Sequence, residues 1–405
     1  HVTQPSATLS IPTNTIAART SITQHMVSYN AQGYPVETRF ADVWGTPRAD
    51  ADGSFGVRYE LNALGQVLRS MQLDAEGNVR VSKSGAGAVV FQYDAVGREI
   101  KSSSIDKDAN PIDGVAGYCT ETRTYDSNGN TIEIRYESSR GELVRNIDEV
   151  AIVRHECDGS GRVVSTRFFD PSDSLSPSRD GYAELRSAYD DKGFLASESF
   201  FDARGNPAYA PGGYHRVRYV RDDTGFAKRT EFFDADEKPA FSRDGFACSE
   251  VDLSDEGRTF DVSYFGADGA PVLSANGWAR VKVMMDARGK MIETRGTDAD
   301  SNPQIGVDGF AAVRFDYDER ENLIATTWLG EDGKPVDIPR TGAARNQYKY
   351  DEKGNLVETA TYNAENKLAP GADGVAVVRT DFDDSGFETR TAYFDENNQP
   401  VLSRD

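Results

Sequence analysis

A glycine that returns every 32 residues constrains the fold of this chain more than any other feature. The glycines that hold this spacing without a slip are Gly33, Gly65, Gly97, Gly129, Gly161, Gly193, Gly225, Gly257 and Gly289. One extra residue is then absorbed before Gly354 and Gly386 resume the register, and Glu321 stands where one glycine is due. A fixed period of this length is the signature of a repeat architecture, in which each copy packs mainly on its neighbours. The sequence therefore predicts twelve tandem repeats over residues 24–405.

Within a repeat, numbered here from the residue nine before its glycine, the hydrophobic period is two. Apolar and polar residues alternate along Val313–Tyr317. This pattern places positions 2, 4 and 6 on the inward face of a β-strand and charged residues on the other face. Asp351–Gly354 supplies a turn, because Asp bonds its own downstream backbone and Gly takes the positive φ of a short hairpin loop. A second strand follows, as in Leu356–Tyr362.

A second turn in each repeat adds a proline at position 24. The eight prolines there are Pro47, Pro111, Pro207, Pro239, Pro271, Pro303, Pro335 and Pro400. Proline cannot donate to a strand ladder, so position 24 is expected to begin a short edge or irregular segment. Such frequent breakers leave no room for long helices. The predicted fold class is all-β, with tandem hairpin repeats of about 32 residues stacked as a solenoid or twisted superhelix.

Two features at the ends of the chain bear on its organisation. Residues 1–23 are polar and rich in Thr and Ser, and we treat them as a separate segment that could be partly disordered. The chain begins with His1 instead of Met, and Asp405 is position 29 of its repeat, one residue before an expected glycine. We therefore expect a truncated array that belongs to a longer protein, from which a leader has been removed.

The overall charge narrows the classes of partner. The formal net charge is −21, which argues against nucleic acid, because phosphate backbones require basic patches. No run of about 18 apolar residues is present, so we expect no transmembrane segment. Protein or glycan partners remain compatible with an acidic surface.

Candidate chemistry is sparse. His155 and Cys157 are two residues apart on one strand face, where a histidine base could activate a thiol. Both fall in the inward column, so core filling is the favoured interpretation. The other cysteines, Cys119 and Cys248, occupy unrelated repeat positions, which excludes a symmetric disulfide ladder.

Acidic clusters offer weak calcium candidates. Asp234 and Asp236, like Asp298 and Asp300, alternate as the oxygen ligands of calcium loops do. Neither cluster completes such a loop, and turn formation by Asp explains both. No other cofactor and no catalytic residue is predicted.

Residues that depart from the repeat pattern indicate a binding site better than the recurring residues do. Arg221 stands in the inward aromatic column, where it must be either paired or locally exposed. Glu149 replaces the second glycine of its repeat, as Glu321 replaces the first. Trp278 and Trp328 are candidates for stacking on sugars, although most rings of the aromatic columns are expected to fill the space between stacked hairpins.

The Tyr-Asp-x-x-Gly core resembles the YD repeat of bacterial rearrangement-hot-spot (Rhs) proteins. The segments that carry this resemblance are Tyr93–Arg98, Tyr125–Asn130 and Tyr350–Leu356, and the match recurs along residues 24–405. The resemblance implies long β-hairpin sheets that spiral into shells, display on or export from bacteria, and no catalytic residues in the repeats. The period here is longer than that of the YD motif, and an open superhelix and a closed shell both remain compatible with it.

These observations lead to one functional hypothesis and two alternatives. The hypothesis is a non-enzymatic repeat scaffold or binding module of a bacterial exported or surface protein, which presents an extended acidic surface to protein or glycan partners. The first alternative is the targeting region of a larger glycan-active or peptidase enzyme. The second is an Rhs-like casing for a toxin.

Overall fold

A computed structural model describes residues 24–41, 47–50, 53–81, 86–254, 258–371, 374–382 and 388–401. The chain divides into two compact units, whose described parts lie within residues 24–211 and 212–401. Every regular element in these ranges is a β-strand, with two strands in each of twelve repeats. Within each unit, each strand pairs antiparallel with the next along the chain. The predicted all-β class of stacked hairpin repeats is confirmed.

The first unit contains twelve strands: β1 (Gln24–Tyr29), β2 (Pro35–Ala41), β3 (Gly56–Leu61), β4 (Val67–Leu73), β5 (Ala88–Tyr93), β6 (Glu99–Ile105), β7 (Thr120–Tyr125), β8 (Thr131–Glu137), β9 (Ile152–Cys157), β10 (Val163–Phe169), β11 (Glu184–Tyr189) and β12 (Leu195–Phe201). The second unit contains twelve more: β13 (Arg216–Arg221), β14 (Ala227–Phe233), β15 (Cys248–Ser254), β16 (Thr259–Phe265), β17 (Arg280–Met285), β18 (Met291–Thr297), β19 (Ala312–Tyr317), β20 (Leu323–Leu329), β21 (Arg345–Tyr350), β22 (Leu356–Tyr362), β23 (Val377–Phe382) and β24 (Glu388–Phe394). Odd-numbered strands occupy positions 1–6 of their repeats, except that β15 extends to position 7, and even-numbered strands occupy positions 12–18.

In most of the described repeats, the first turn is built by one Asp and one Gly, as the sequence predicts, whereas Asn30 and Asn62 replace the Asp in two repeats and Glu321 replaces the Gly in another. In the third repeat, Gly97 N donates to Asp94 O at 3.0 Å, and Asp94 N donates to Arg98 O at 2.9 Å. The Asp94 carboxylate accepts from the backbone N of Val96 and of Arg98. Gly97 has a φ of 91°, a conformation that L side chains rarely adopt. The arrangement is a type I turn closed by a left-handed residue and a bulge.

Where the structure describes them, two more turns of a repeat use a left-handed residue, at positions 22 and 30. Position 22 is not always glycine, and the residues that hold a positive φ there include Ala109, Asp173, Glu237, Ser301, Asn366 and Asn398. The predicted short segment at position 24 lies between these turns. Pro111 forms an isolated bridge with Ile105, and the next residue, Ile112, donates its backbone N–H to Ser104 O at 3.1 Å. The proline therefore stands where no donor is required.

The structure also locates the extra residue of the tenth repeat. Its third turn runs from Ile338 to Ala343, one residue longer than the corresponding turns. Gly342 N donates to Ile338 O at 2.8 Å, and Ile338 N donates to Ala343 O at 3.0 Å. Lengthening the turn leaves the flanking strands in register, because Thr327 of β20 still lies opposite Arg345 of β21.

The core of the second unit follows the inward positions predicted from the alternation, together with positions 15, 17, 27 and 31. Its buried members are Val217, Phe232, Phe246, Val262, Tyr264, Trp278, Val281, Val283, Phe310, Val313, Trp328, Ile338 and Ala343. The rings of positions 17 and 31 form a ladder, with centroids 5.8 Å apart for Phe232–Phe246 and 4.6 Å apart for Phe246–Tyr264. The first unit repeats this ladder, for example in Tyr118–Tyr136 at 4.7 Å. Aromatic packing between stacked hairpins is thereby confirmed.

Candidate functional site

The sheet face opposite the core carries a repeated network of acidic and basic side chains, which we call the ionic face. Its members are Glu37, Arg39, Arg58, Glu133, Arg135, Arg154, Arg167, Glu184, Arg186, Arg218, Arg229, Glu231, Glu250, Glu293, Arg295, Arg314, Glu358 and Arg379. Glu133 contacts Arg135 on its own strand at 2.7 Å and Arg154 of the next repeat at 2.6 Å. Since Glu133 and Arg154 are direct cross-strand partners, the pair ties one repeat to the next.

Glu184 is the most deeply buried acid of the ionic face. It is 4% exposed and accepts from Ser165 at 2.8 Å, from Arg167 at 2.9 Å and from Arg186 at 2.7 Å. Burial by itself raises the pKa of this carboxyl, but the hydrogen bonds from Arg186, Ser165 and Arg167 outweigh burial and lower the pKa to about 2. The residue is therefore ionised at neutral pH and structural in its contacts.

The tyrosine of the Tyr-Asp-x-x-Gly motif connects neighbouring repeats at the strand end that adjoins the first turn. Its hydroxyl donates to the backbone carbonyl of position 12 in the preceding repeat, at 2.6–3.0 Å, for Tyr93, Tyr125, Tyr189, Tyr317 and Tyr350. The residue at position 11 of the preceding repeat can cover the ring, as the Arg98 guanidinium does 4.7 Å from the Tyr125 centroid. The motif residues are thus used to hold the array together.

A groove of about 600 Å³ opens beside the fifth repeat, where Cys157 stands at the tyrosine position. Its lining includes Asp126, Glu133, Arg154, His155, Cys157 and Arg167. The cations in this groove are already paired, because Arg154 contacts Glu133 at 2.6 Å and Asp173 at 2.8 Å, and Arg167 contacts Glu184 at 2.9 Å. An acidic ligand would have to displace these carboxylates to bind.

The geometry of His155 and Cys157 disfavours nucleophilic chemistry. His155 Nδ1 lies 3.0 Å from the Thr166 hydroxyl, and burial lowers the pKa of the imidazole. Burial and the nearby charges of Asp126 and Asp158 raise the pKa of the Cys157 thiol. A reactive cysteine requires the opposite shift, since the thiolate is the nucleophile. The pair therefore fits the structural interpretation better than the catalytic one.

The acids singled out as calcium candidates form turns. Asp298 Oδ1 accepts from the backbone N of Asp300 at 2.9 Å and of Asn302 at 2.8 Å. Asp234 makes the same contacts with Asp236 and Lys238, both at 2.9 Å. Within the described ranges, no three His, Cys, Asp or Glu side chains converge as a metal site would require. Calcium binding stays a prediction.

The three departures from the repeat occupy separate places. Arg221 is half-buried, and its Nη1 donates to Gly225 O at 2.9 Å. Glu149 and Glu321 keep the left-handed backbone of the glycines that they replace, with φ values of 63° and 65°. The Glu321 carboxylate lies 3.2 Å from Lys290 Nζ. None of the three is among the residues that line the groove, and their role in binding stays a prediction.

Both tryptophan candidates lie in the core. Trp278 is 3% exposed and Trp328 is 9% exposed, so neither ring presents a face to solvent. Trp278 Nε1 donates to Gln304 O at 2.8 Å. The ring also covers Gly296, where a Cβ would lie 2.1 Å from the indole. Gly296 stands at position 17, which is aromatic in many repeats. The glycine at this position was the feature of the sequence that indicated a close contact.

Sequence reasoning missed an exposed line of apolar side chains in the second unit. Phe241, Leu273 and Ile305 stand at position 26 of three successive repeats and are 50%, 50% and 44% exposed. We call these three residues the apolar row. The sequence contained a signal for this row, because position 26 is charged in other repeats, as at Asp113 and Asp337.

Comparisons with known proteins find matches among solved structures and no family. No family model matches the chain, and no curated protein matches it. A solved structure of TcdB2-TccC3-TEV is 13% identical with a TM-score of 0.43, and the match covers 93% of this chain and 19% of that chain. For TcdB2-TccC3 without its hypervariable C-terminal region, the corresponding values are 14%, 0.33, 91% and 20%.

A Tc holotoxin pore from Photorhabdus luminescens is 14% identical with a TM-score of 0.27, and the match covers 95% of this chain and 22% of that chain. The chain thus spans about a fifth of the length of these structures. Membership in the YD-repeat family stays a prediction. Separately, the described part of the chain contains no helix long and apolar enough to cross a membrane.

Proposed function

We propose that this region is a non-enzymatic repeat scaffold of a bacterial exported or surface protein, and that it presents an extended acidic surface to protein or glycan partners. The observation that supports this proposal most strongly is that the distinctive motif residues are used between repeats. Glu133 pairs with an Arg of the next repeat, and the Tyr125 hydroxyl bonds a carbonyl of the preceding one. Turn backbones also stack, as when Ile147 N donates to Ala116 O at 2.8 Å.

This pattern of contacts suits a rigid spacer. Within each unit, a repeat is fixed to its neighbours by a strand ladder, ion pairs and side-chain hydrogen bonds, so bending at one of these junctions would break several contacts at once. The acidic surface follows from the sequence, with 66 acidic residues against 45 basic ones. Such a surface keeps an exposed array soluble and resists edge-to-edge pairing of its strands.

The proposal is tested by incubating the full chain with panels of labelled glycans and peptides. We expect saturable retention of some panel members, with their masses unchanged and with retention that weakens as salt rises. The control is the double variant His155→Ala and Cys157→Ala, which should behave as the unsubstituted chain does. Cleavage of a panel member that the double variant no longer cleaves would overturn the non-enzymatic proposal.

A casing for a protein cargo is the second candidate, and the polar inward face of the fourth repeat favours it. Glu121 and Arg123 occupy inward positions of β7, remain half-buried and pair at 2.6 Å. A casing benefits from a polar lining that does not adhere to its cargo. This role predicts that the full-length protein retains a co-purifying segment that resists added protease, whereas a scaffold leaves such a segment open to cleavage.

A further inference from the structure

The apolar row lies beside turns that stack on one another. Phe241, Leu273 and Ile305 each precede the third turn of their repeats, and these turns stack through backbone hydrogen bonds. Ala275 N donates to Asp244 O at 2.6 Å, and Val307 N donates to Asn276 O at 3.0 Å. Because the repeat register does not change across this region, the three side chains occupy equivalent places in successive repeats.

Position 26 has a different use elsewhere in the array. Asp113 Oδ1 accepts from the backbone N of Ser139 in the next repeat at 2.6 Å, and Asp337 does the same with Ala364 at 2.7 Å. An apolar side chain cannot make this contact. In the apolar row, the side chain of position 26 therefore does not bond the next repeat, and three large apolar groups are exposed instead, a feature that marks interaction surfaces. The repeats are still joined at Ile305, whose backbone N–H donates to Glu331 Oε1 at 3.2 Å.

The surroundings of the apolar row are strongly acidic. The segments 234–246, 266–278 and 298–310 carry eight acidic side chains and two basic ones. The acids are Asp234, Asp236, Glu237, Asp244, Asp268, Asp298, Asp300 and Asp308, and the bases are Lys238 and Arg243. A partner that covers the row must therefore place basic groups on both sides of its apolar contacts.

The spacing of the apolar row selects the form of that partner. Successive repeats are separated by two strands, which amounts to roughly 10 Å. Residues seven apart on an α-helix lie on one face and about 10.5 Å apart along the axis. Residues three apart on a β-strand cover the same distance but point to opposite faces. A helix with apolar residues at seven-residue intervals matches the row, and a β-strand does not.

We propose that the apolar row docks a basic amphipathic α-helix of a partner protein. This inference deepens the proposed function by naming the surface and the chemistry of one partner. Three apolar residues of the helix lie on Phe241, Leu273 and Ile305, and flanking Lys or Arg side chains face the surrounding carboxylates.

The test uses a synthetic helix of roughly 21 residues, with Leu at seven-residue intervals and Lys on both sides, titrated against the full chain by fluorescence anisotropy. The informative variant is the triple substitution Phe241→Asp, Leu273→Asp and Ile305→Asp. It places at the row the residue that Asp113 uses to bond the next repeat, and it adds negative charge. Attraction of the basic peptide therefore rises, and only the apolar contact is lost. We expect binding to weaken at least about tenfold.

The matched control is Leu64→Asp with Val96→Asp, which changes two side chains of the first unit that are 75% and 76% exposed. This variant should bind the peptide as tightly as the unsubstituted chain does. Equal binding by the triple variant, or no binding by the unsubstituted chain, would overturn the docking proposal. Neither result affects the scaffold proposal, which is judged on the glycan and peptide panels. If the triple variant does not fold, Leu273→Ser alone serves the same comparison.

Discussion

At the residue scale, the contacts between repeats depend on a few side chains at fixed positions. Glu184 binds two guanidinium groups and one hydroxyl, and the tyrosines of position 6 each bond one carbonyl. These groups are polar and partly or wholly removed from water, so each contact makes a measurable difference to stability. Removal of one such contact should therefore lower the free energy of unfolding.

Glu184→Gln should lower the free energy of unfolding at pH 7 by about 2 kcal/mol, allowing for the solvent exposure of its Arg partners. The folded-state pKa is about 2, below the ordinary value of 4.5. The stabilisation is therefore complete above the ordinary value and is lost as pH falls through the folded value. Urea unfolding of both proteins should show a difference that shrinks to nothing near pH 2. Glu156→Gln, whose side chain is 63% exposed, is the control and should change stability little.

Tyr125→Phe removes one hydroxyl and keeps the ring beneath Arg98. The hydroxyl donates to Glu99 O at 2.6 Å, so its loss leaves a carbonyl without that donor. We expect the free energy of unfolding to fall by about 1 kcal/mol, measured by urea unfolding. Tyr209→Phe, at a ring that is 48% exposed, should be neutral. Equal effects of the two substitutions would contradict the role assigned to the position 6 hydroxyl.

At the element scale, the turns keep the repeat pattern more strictly than the strands do. A left-handed residue closes the turns that the structure describes, and the conformation persists where the glycine has been replaced. Glu149 holds a φ of 63° at position 30, where Gly181 of the next repeat holds 90°. The fold therefore imposes this backbone on a residue that does not favour it.

Glu149→Gly should stabilise the protein by about 0.5–1 kcal/mol, because glycine removes the strain of a left-handed L residue. The reverse change, Gly181→Ala, should destabilise it by a similar amount. A Cβ at Gly181 would meet nothing within 4 Å, so backbone conformation alone is tested there. Thermal unfolding followed by circular dichroism measures both. A loss of stability in Glu149→Gly would show that the Glu149 side chain stabilises the turn.

At the scale of the whole molecule, stability grows by addition of repeats. Contacts run between neighbouring repeats within each unit, and strands pair with the strands next to them along the chain. An array of this kind should accept the removal of one whole repeat and reject the removal of part of one.

Deletion of residues 152–183 should leave a folded protein with a Tm within about 5 °C of the starting value. The deletion joins Glu133 to a new arginine partner, Arg186, and places Tyr189 where Cys157 stood. Deletion of residues 152–167 removes half a repeat and should abolish cooperative unfolding of the first unit. Similar melting of the two proteins would contradict the repeat-by-repeat account. The whole-repeat deletion also removes the groove, so it shows whether partner binding needs that groove.

The strands, turns and short proline segments could be predicted because each follows from local chemistry. The Asp-x-x-Gly pattern determines its own turn through contacts within five residues, as Asp94 does. The groove and the apolar row were not predicted. The groove depends on the small side chain of Cys157, which stands where other repeats carry a tyrosine. The row depends on the direction in which position 26 faces after the isolated bridge of position 24. Both are properties of how successive repeats pack in space. The sequence marked each position by a departure from the repeat, but it did not show the surface that the position forms.

The sequence by itself determined the period, the all-β class and the positions of the turns, because these depend on glycine conformation, proline and alternation along one strand. The tertiary structure decided what the recurring polar residues do. Only when successive repeats lie side by side does Glu133 meet Arg154, and only then does the Tyr125 hydroxyl reach Glu99 O. Burial likewise moved Trp278 into the core and left Phe241 half-exposed, because the side of the sheet on which a ring lies is settled by its neighbours in space.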